Sequence, residues 1–164
     1  MIVLVGFMGA GKTTIGRLLA ERLGIPFVDV DAVIERREQR LIREIFEQSG
    51  EEEFRRIEHD AVVESLNGPD AVVALGGGAV ENPGTLRALD SVFVVFLEVE
   101  FDEAMLRIGR DQYRPMISNP DIKEIYVRRL PLYRSVSNLT IRTAERSAEL
   151  IVSEIVSCVA AGGQ

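Results

Sequence analysis

The chain has 164 residues, 46% of them hydrophobic, a composition that suits one globular domain with a sizeable core. With 19 basic and 26 acidic residues its net charge is −7, which argues against binding nucleic acid or an anionic membrane through bulk charge. Its one cysteine, Cys158, excludes an internal disulfide and indicates a reducing, cytoplasmic compartment, and no apolar run approaches the roughly 20 residues needed to span a bilayer.

Short apolar runs alternate along the chain with amphipathic segments, a pattern typical of strands and helices in turn. This β-α repetition predicts an α/β fold, with a mostly parallel sheet, helices on both faces and ligands at the carboxyl ends of the strands. The predicted strands are Ile2–Val5, Phe27–Val30, Ala71–Leu75, Val92–Leu97 and Leu139–Ile141. The predicted helices are Thr14–Leu23, Ala32–Arg40, Arg43–Gln48, Glu51–Leu66, Thr85–Leu89, Phe101–Ile108, Ile122–Arg134 and Glu145–Val159, the first ended by Gly24.

A phosphate-binding loop follows the first strand. Residues 6–13 read GFMGAGKT, the full G-x-x-x-x-G-K-[ST] pattern between an apolar strand and a helical segment. Backbone N–H groups of such a loop curl around a polyphosphate, and the next helix adds the positive end of its dipole. Lys12 is expected to reach the β- and γ-phosphates, and Thr13 to offer a hydroxyl to Mg²⁺. The alternative is a glycine-rich turn that binds nothing.

Two acidic residues, Asp29 and Asp31, end the second predicted strand. Because residues two apart on an extended segment point to the same side, both carboxylates are expected to face the phosphate-loop edge. One would be a metal ligand and the other a base. Asp29 is favoured as the ligand, because the third strand ends in glycines where many nucleotide-hydrolysing proteins carry a metal-binding aspartate. The alternative for Asp31 is a cap on the helix predicted to begin at Ala32.

Three glycines, residues 76–78, follow the third strand. They leave bare backbone N–H groups against which a flat small molecule could lie, although a plain loop is the alternative. On the helix predicted over 51–66, Glu58 comes three residues after Arg55 on the same face and could hold its guanidinium in one orientation. A solvated surface position is the default for such an arginine, and we interpret His59, the only histidine, as a solvated residue.

Taken together, these motifs resemble bacterial shikimate kinase over nearly the whole chain. The phosphate loop alone indicates only a large superfamily, and the combination is what makes the resemblance specific. The motifs are Gly-Phe-Met-Gly-Ala-Gly-Lys-Thr at 6–13, Asp29-Val30-Asp31, Glu53-Phe54-Arg55-Arg56, Gly76-Gly77-Gly78, Arg114-Pro115 and Leu132-Tyr133-Arg134. The resemblance implies one domain over 1–164, a three-layer α/β/α P-loop kinase fold of the nucleoside-monophosphate-kinase type, with a five-stranded parallel sheet of order 2-3-1-4-5.

The resemblance also implies an activity, the transfer of the γ-phosphoryl group of ATP to the 3-hydroxyl of shikimate in aromatic amino acid biosynthesis. Asp31 matches the acid that hydrogen-bonds the shikimate hydroxyls and accepts the proton. Arg55 and Arg134 match the pair that holds the substrate carboxylate, and Gly77 and Gly78 match its backbone contacts. The implied catalytic residues are Lys12, Asp31 and Arg114; the implied ATP contacts are Gly9, Ala10, Gly11, Lys12, Thr13, Thr14, Arg107, Arg114 and Arg146; the implied Mg²⁺ ligands are Thr13 and Asp29.

Two segments are given roles by the same resemblance. Residues of about 32–66 form the substrate-binding helices, and about 107–121 form a lid whose polar, proline-bearing composition suits a mobile loop. Arg114 on the lid would reach the ATP phosphates, while Arg107 and Arg146 would flank the adenine. The chain departs from the family pattern at Arg142, where an acid is usual, and at Ala74, where Ser or Thr is usual.

The expected partners are therefore shikimate and ATP with Mg²⁺, without nucleic acid or membrane, and the expected state is a monomer. Two other functions stay open. A kinase of another small polyol acid, such as gluconate, would share the fold and the phosphate loop. A nonenzymatic nucleotide-dependent switch would share the loop, but its release of ADP would not depend on shikimate.

Overall fold

A computed structural model of the chain describes residues 1–109 and 120–162. Its described part contains a five-stranded sheet in which every neighbouring pair is parallel. The order is β2-β3-β1-β4-β5, so the predicted order 2-3-1-4-5 is confirmed. The strands are β1 (Ile2–Val5), β2 (Phe27–Asp29), β3 (Val72–Ala74), β4 (Phe93–Glu98) and β5 (Leu139–Arg142).

Helices flank this sheet and complete the predicted three-layer α/β/α fold. Helix α1 packs with α7, and α3 packs with α2 and α4. Their bounds are α1 (Lys12–Leu23), α2 (Val30–Glu38), α3 (Ile42–Leu66), α4 (Pro83–Leu89), α5 (Phe101–Ile108), α6 (Ile122–Val136) and α7 (Ala148–Gly162). A short 3₁₀ turn, Ala79–Glu81, follows the glycine triplet.

The central strands are apolar because they are covered on both faces. Val3 and Leu4 of β1 and Val72 and Val73 of β3 are fully buried. Continuous apolar runs of this kind are typical of strands in parallel sheets, whereas a half-exposed strand would alternate polar and apolar residues. Polar residues that could bind a ligand are therefore expected just beyond the carboxyl ends of the strands.

Local backbone conformation explains where the helices depart from their predicted bounds. Gly24 adopts the left-handed conformation (φ 66°) and ends α1, as predicted. The two predicted helices at 43–48 and 51–66 form one run, α3, that is broken at Gly50, where φ is 80°. Helix α7 begins at Ala148 and not at Glu145, because Glu145 itself is left-handed (φ 54°). Among the described helices, none has both the length and the apolar character to cross a membrane.

Candidate active site

The phosphate loop takes a path that requires glycine. Gly6 and Gly9 have φ values of 149° and 77°. A Cβ on Gly6 would lie 2.5 Å from the carbonyl oxygen of Leu97, and one on Gly9 would lie 2.9 Å from that of Ala104. No side chain fits at either position, and the loop delivers the chain directly into the first turn of α1. The backbone N–H groups at that turn are the elements that bind a phosphate.

Lys12 is the first residue of α1, and its ammonium lies over the loop. The Nζ atom donates hydrogen bonds to the carbonyl oxygens of Gly6 at 2.7 Å and Phe7 at 3.1 Å. These contacts keep the cation at the place where the loop would receive a polyphosphate. The position agrees with the role that the sequence pattern predicts for this lysine.

Thr13 and Asp29 form an oxygen pair beside the loop. Thr13 Oγ1 donates to Asp29 Oδ2 at 2.9 Å, and both side chains are partly buried. A hydroxyl and a carboxylate are hard oxygen donors that suit Mg²⁺, which commonly binds through one carboxylate together with waters and substrate phosphates. Over residues 1–109 and 120–162 there is no cluster of three or more His, Cys, Asp or Glu that could hold a metal by itself. The pair therefore fits a magnesium ion shared with a nucleotide.

The two acids of Asp29-Val30-Asp31 do not lie on one extended strand, and this prediction was wrong. Asp29 is the last residue of β2 and caps α2, its Oδ1 accepting from the backbone N–H of Asp31 at 3.2 Å. Asp31 lies within the first helical turn, so the alternative that Asp31 is the cap is also wrong. The reason is that the chain turns into α2 at Val30, whose side chain is fully buried.

Asp31 reaches the glycine triplet, where it meets a second carboxylate. A Cβ on Gly76 would lie 2.8 Å from Asp31 Oδ1 and 2.5 Å from Glu58 Oε1. A side chain at position 76 would therefore require both carboxylates to shift. The structure thus brings the predicted base next to the backbone that was predicted to contact the substrate, although Asp31 reaches it from a helix and not from a strand.

Arg55 lies against the same triplet and is held by Glu58, as the i, i+3 spacing predicts. Arg55 Nη1 donates to Glu58 Oε2 at 2.6 Å, and a Cβ on Gly78 would lie 2.4 Å from both terminal nitrogens. Burial raises the pKa of Glu58, although the charge of Arg55 opposes the rise. Burial also works to lower the pKa of Arg55. The charge of Glu58 and its hydrogen bond outweigh this effect, so the pKa of Arg55 is raised. Arg55 is therefore a partly buried, oriented cation, and the surface alternative is wrong.

Arg134 does not join this cluster. Its side chain is 59% exposed and donates to Glu98 at 2.6 Å. The arginine of α6 that lies beside the triplet is Arg129, which is 4% exposed and whose Nη1 would lie 3.7 Å from a Cβ on Gly77. The structure therefore pairs Arg55 with Arg129, in place of the predicted Arg134.

The sequence contains a signal that could have identified Arg129. The buried residues of α6 are Ile122, Ile125, Tyr126, Arg129 and Tyr133, a stripe with helical spacing. A charged residue on an apolar stripe indicates a buried, partnered group. Arg134, one position beyond the end of that stripe, falls on the solvent side.

Tyr133 connects α6 to the backbone of the triplet. Its hydroxyl donates to the carbonyl oxygen of Gly77 at 2.5 Å. Burial raises the pKa of this phenol, so it remains protonated and serves as a donor. The contact fixes one carbonyl of the triplet and leaves its neighbouring N–H groups for a ligand.

Arg107 and Arg146, the arginines predicted to flank the adenine, contact or belong to the segment that follows β5. Arg107 donates to the carbonyl oxygen of Gly9 and to Thr143 Oγ1, both at 3.1 Å, and so ties the loop to the segment after β5. Arg146 lies in that segment and donates to Glu154 at 2.5 Å. Arg142 stands where the family usually has an acid. Its side chain is 81% exposed, and its Nε atom lies 3.4 Å from Glu98 Oε2. Arg114 and most of the predicted lid lie outside the described residues.

His59 is not the solvated residue that we expected. Its Nδ1 lies 3.1 Å from the hydroxyl oxygen of Thr85, which is fully buried. The contact joins α3 to α4 and leaves no histidine in the site among the described residues.

Comparison with known proteins assigns the family. The model of the family described as shikimate kinase matches residues 8–160. The chain belongs to the shikimate kinase family. A curated shikimate kinase of Thermobifida fusca is 47% identical to this chain over 162 residues, and the match covers 94% of each chain. The shikimate kinase of Mycobacterium tuberculosis strain H37Ra is 45% identical over 159 residues, and that match covers 94% of this chain and 90% of the relative.

Solved shikimate kinases share the whole fold. The structure from Acinetobacter baumannii, in complex with shikimate, has a TM-score of 0.93 at 36% identity and covers 99% of this chain and 93% of its own. That from Aquifex aeolicus has a TM-score of 0.87 at 32% identity, with 98% and 96% covered. As a member of the family the chain is an enzyme, a kinase that phosphorylates shikimate with ATP. The family match favours neither a gluconate-type kinase nor a nonenzymatic switch.

Proposed function

We propose that this shikimate kinase transfers the γ-phosphoryl group of ATP to the 3-hydroxyl of shikimate, and that the residues converging on the glycine triplet bind the acceptor. The observation that carries the proposal is the meeting of Asp31, Arg55 and Arg129 at this backbone, at the carboxyl edge of the strands that also bears the phosphate loop. Phosphoryl transfer needs its two substrates aligned and their charges neutralised more than it needs covalent chemistry. A cluster of this kind beside the loop is suited to that task.

The substrate carboxylate would lie between Arg55 and Arg129. A guanidinium binds a carboxylate through two parallel hydrogen bonds, so a pair of oriented arginines specifies both the charge and the plane of the ligand. The burial of Arg129 and its approach to Gly77 support it in this role in place of Arg134. Backbone groups of Gly77 and Gly78 would complete the contact.

Asp31 would accept a hydrogen bond from the reacting hydroxyl and would take its proton. Its carboxylate lies at Gly76, so a substrate held by its carboxylate at Gly77 and Gly78 would present hydroxyl groups toward it. A carboxylate within hydrogen-bond reach can act as a general base in such a transfer. Asp31 is held in place by the first turn of helix α2, and that turn is capped by the side chain of Asp29.

The nucleotide would lie along the phosphate loop. Backbone N–H groups of Gly9, Ala10 and Gly11 would bind the phosphates. Lys12 would contact the phosphoryl group that is transferred, and Thr14, in the first turn of α1, would also contact ATP. Thr13 and Asp29 would hold Mg²⁺, which when bound neutralises phosphate charge. Arg107 and Arg146 would flank the adenine, and Arg114 would reach the phosphates from the lid.

We extend the same proposal to the cellular setting and to the domain limits. The net charge of −7 and the lone cysteine support a cytoplasmic enzyme that binds no nucleic acid or membrane. We propose one domain over 1–164 that acts as a monomer, with acceptor-binding helices over about 32–66 and a lid over about 107–121.

The test is an ADP-release assay with a panel of acceptors. The parent enzyme is expected to release ADP rapidly with shikimate and only slowly without it, and neither gluconate nor a nucleoside monophosphate should replace it. ADP release that is equal with and without shikimate would contradict the proposal, as would a preference for gluconate. The variant Lys12→Met serves as the control for contaminating kinases.

A further inference from the structure

The 3₁₀ turn after the glycine triplet sets a carboxylate against both arginines of the proposed substrate site. Glu81 Oε2 lies 2.9 Å from Arg129 Nε and 2.7 Å from its Nη2. The same oxygen lies 3.9 Å from Arg55 Nη2. The other oxygen, Oε1, lies 2.9 Å and 2.8 Å from Nε and Nη2 of Arg128. One side chain therefore bridges three guanidinium groups.

The contact occupies one edge of the Arg129 guanidinium. Glu81 occupies the edge formed by Nε and Nη2, while Nη1 faces the triplet near Gly77. The Arg129 side chain is 4% exposed, and a buried cation needs a partner of opposite charge. Glu58 also interacts electrostatically with Arg129, but its carboxylate already accepts a hydrogen bond from Arg55.

Glu81 is rigidly connected to the backbone that would contact the substrate. Its N–H donates to the carbonyl oxygen of Gly78 at 3.0 Å, and the N–H of Ala79 donates to that of Gly76 at 3.1 Å. The carboxylate and the triplet thus belong to one hydrogen-bonded turn. A guanidinium fixed to this carboxylate is fixed relative to Gly77 as well.

We propose that Glu81 is a positioning residue for shikimate, which orients the guanidinium of Arg129 so that its Nη1 faces the substrate carboxylate at the triplet. The inference rests on the proposed function, because it requires Arg129 to contact that carboxylate. Glu81 acts through Arg129 and does not itself touch the substrate. It therefore affects the binding of the acceptor and leaves the phosphoryl transfer unchanged.

The charge of Glu81 is consistent with this task. Burial works to raise its pKa, but the hydrogen bonds and charges of Arg129 and Arg128 outweigh burial and lower it. The carboxylate is thus ionised at neutral pH and would repel a substrate anion if it stood alone. Arg128 and Arg129 neutralise it, so orientation of Arg129 is the expected net effect.

The test compares Glu81→Gln with Glu81→Asp and with a matched control, Glu21→Gln. Glutamine keeps the size of the side chain but loses the charge that holds the guanidinium, so the KM for shikimate should rise about tenfold while kcat and the KM for ATP stay within about twofold. Aspartate keeps the charge with a shorter reach and should give a smaller rise. Glu21 is exposed on α1, outside the proposed substrate site, and its variant should match the parent enzyme.

A double-mutant cycle with Arg129→Ala separates this inference from the proposed function. If Arg129→Ala leaves the KM for shikimate unchanged, the proposed role of Arg129 fails, and the inference fails with it. If Arg129→Ala raises that KM but Glu81→Gln leaves it unchanged or lowers it, the inference alone is overturned.

In the Arg129→Ala background, Glu81→Gln should add no further rise in KM, and a full additional rise would also overturn the inference. Thermal unfolding of each variant checks the fold. Should Glu81→Gln fail to fold, Glu81→Asp decides: a raised KM for shikimate at unchanged kcat supports the inference, and a KM equal to that of the parent overturns it.

Discussion

Glu58 accepts a hydrogen bond from Arg55 at 2.6 Å while its own side chain is only 3% exposed. The pair combines a desolvated carboxylate with the guanidinium that it orients, and both groups meet the glycine triplet. Asp31 and Arg129 also act electrostatically on Glu58, in opposite directions. The geometry of the proposed acceptor site and the stability of the fold are therefore linked at this residue.

We expect Glu58→Gln to change how stability depends on pH. Because the pKa of Glu58 is raised in the folded protein, the folded state binds its proton more tightly than the unfolded chain does. The parent should thus lose stability, relative to the variant, as the pH rises from the ordinary glutamate pKa through the raised one. Thermal unfolding of both proteins between about pH 4 and pH 8 measures this difference. A difference in Tm that is constant over that range would contradict it.

Lys12→Met should abolish catalysis and preserve the fold. The ammonium that lies over Gly6 and Phe7 is the cation expected to follow the transferred phosphoryl group, and its loss should cut kcat by about 10³-fold or more. Steady-state kinetics with shikimate and ATP measure the loss, and circular dichroism checks the fold. Turnover near that of the parent would contradict the assignment of the loop.

Asp31→Asn should reduce kcat without a loss of stability. Asparagine keeps the shape but cannot accept the proton, and the loss of a general base typically costs about 10²- to 10⁴-fold. Because the cap of α2 is Asp29, the change should leave Tm unaffected. A near-normal, shikimate-dependent rate at an unchanged Tm would refute the catalytic role of Asp31.

Arg129→Lys and Arg134→Lys should differ sharply. Lysine keeps the charge but loses the planar fork, so at buried Arg129 it should lower kcat/KM for shikimate by roughly 10- to 1000-fold. At Arg134, which is 59% exposed and pairs with Glu98, the same change should have little effect. Calorimetric titration with ATP alone serves as the control and should be unchanged in both. The reverse ranking would restore Arg134 to the substrate site.

The sequence predicted most of the fold, because its signals there are local. Gly24 at the end of α1 and the apolar runs of the central strands are readable from neighbouring residues, and each matched the structure. The spacing of Arg55 and Glu58 was readable for the same reason.

Long-range contacts in the site were harder to predict. Arg134 was predicted to join Arg55, but the structure places Arg129 there. The prediction was based on a match to a sequence motif, whereas the helical spacing of the apolar residues of α6 indicates which of its residues are buried. Glu81 had no local signal at all, since its partners Arg128 and Arg129 lie 47 and 48 positions further along the chain. The error over Asp31 came from extending β2 past Asp29, where the cap turns the chain into α2.

We propose that Asp31, Arg55 and Arg129 hold shikimate so that its 3-hydroxyl faces the phosphate loop. The most direct test is the identity of the product that the enzyme forms from ATP and shikimate, determined by ¹H and ³¹P NMR. We expect ADP and a single phosphorylated product in which the phosphate is coupled to the proton on carbon 3. Phosphate on another hydroxyl, or release of inorganic phosphate with shikimate unchanged, would contradict it.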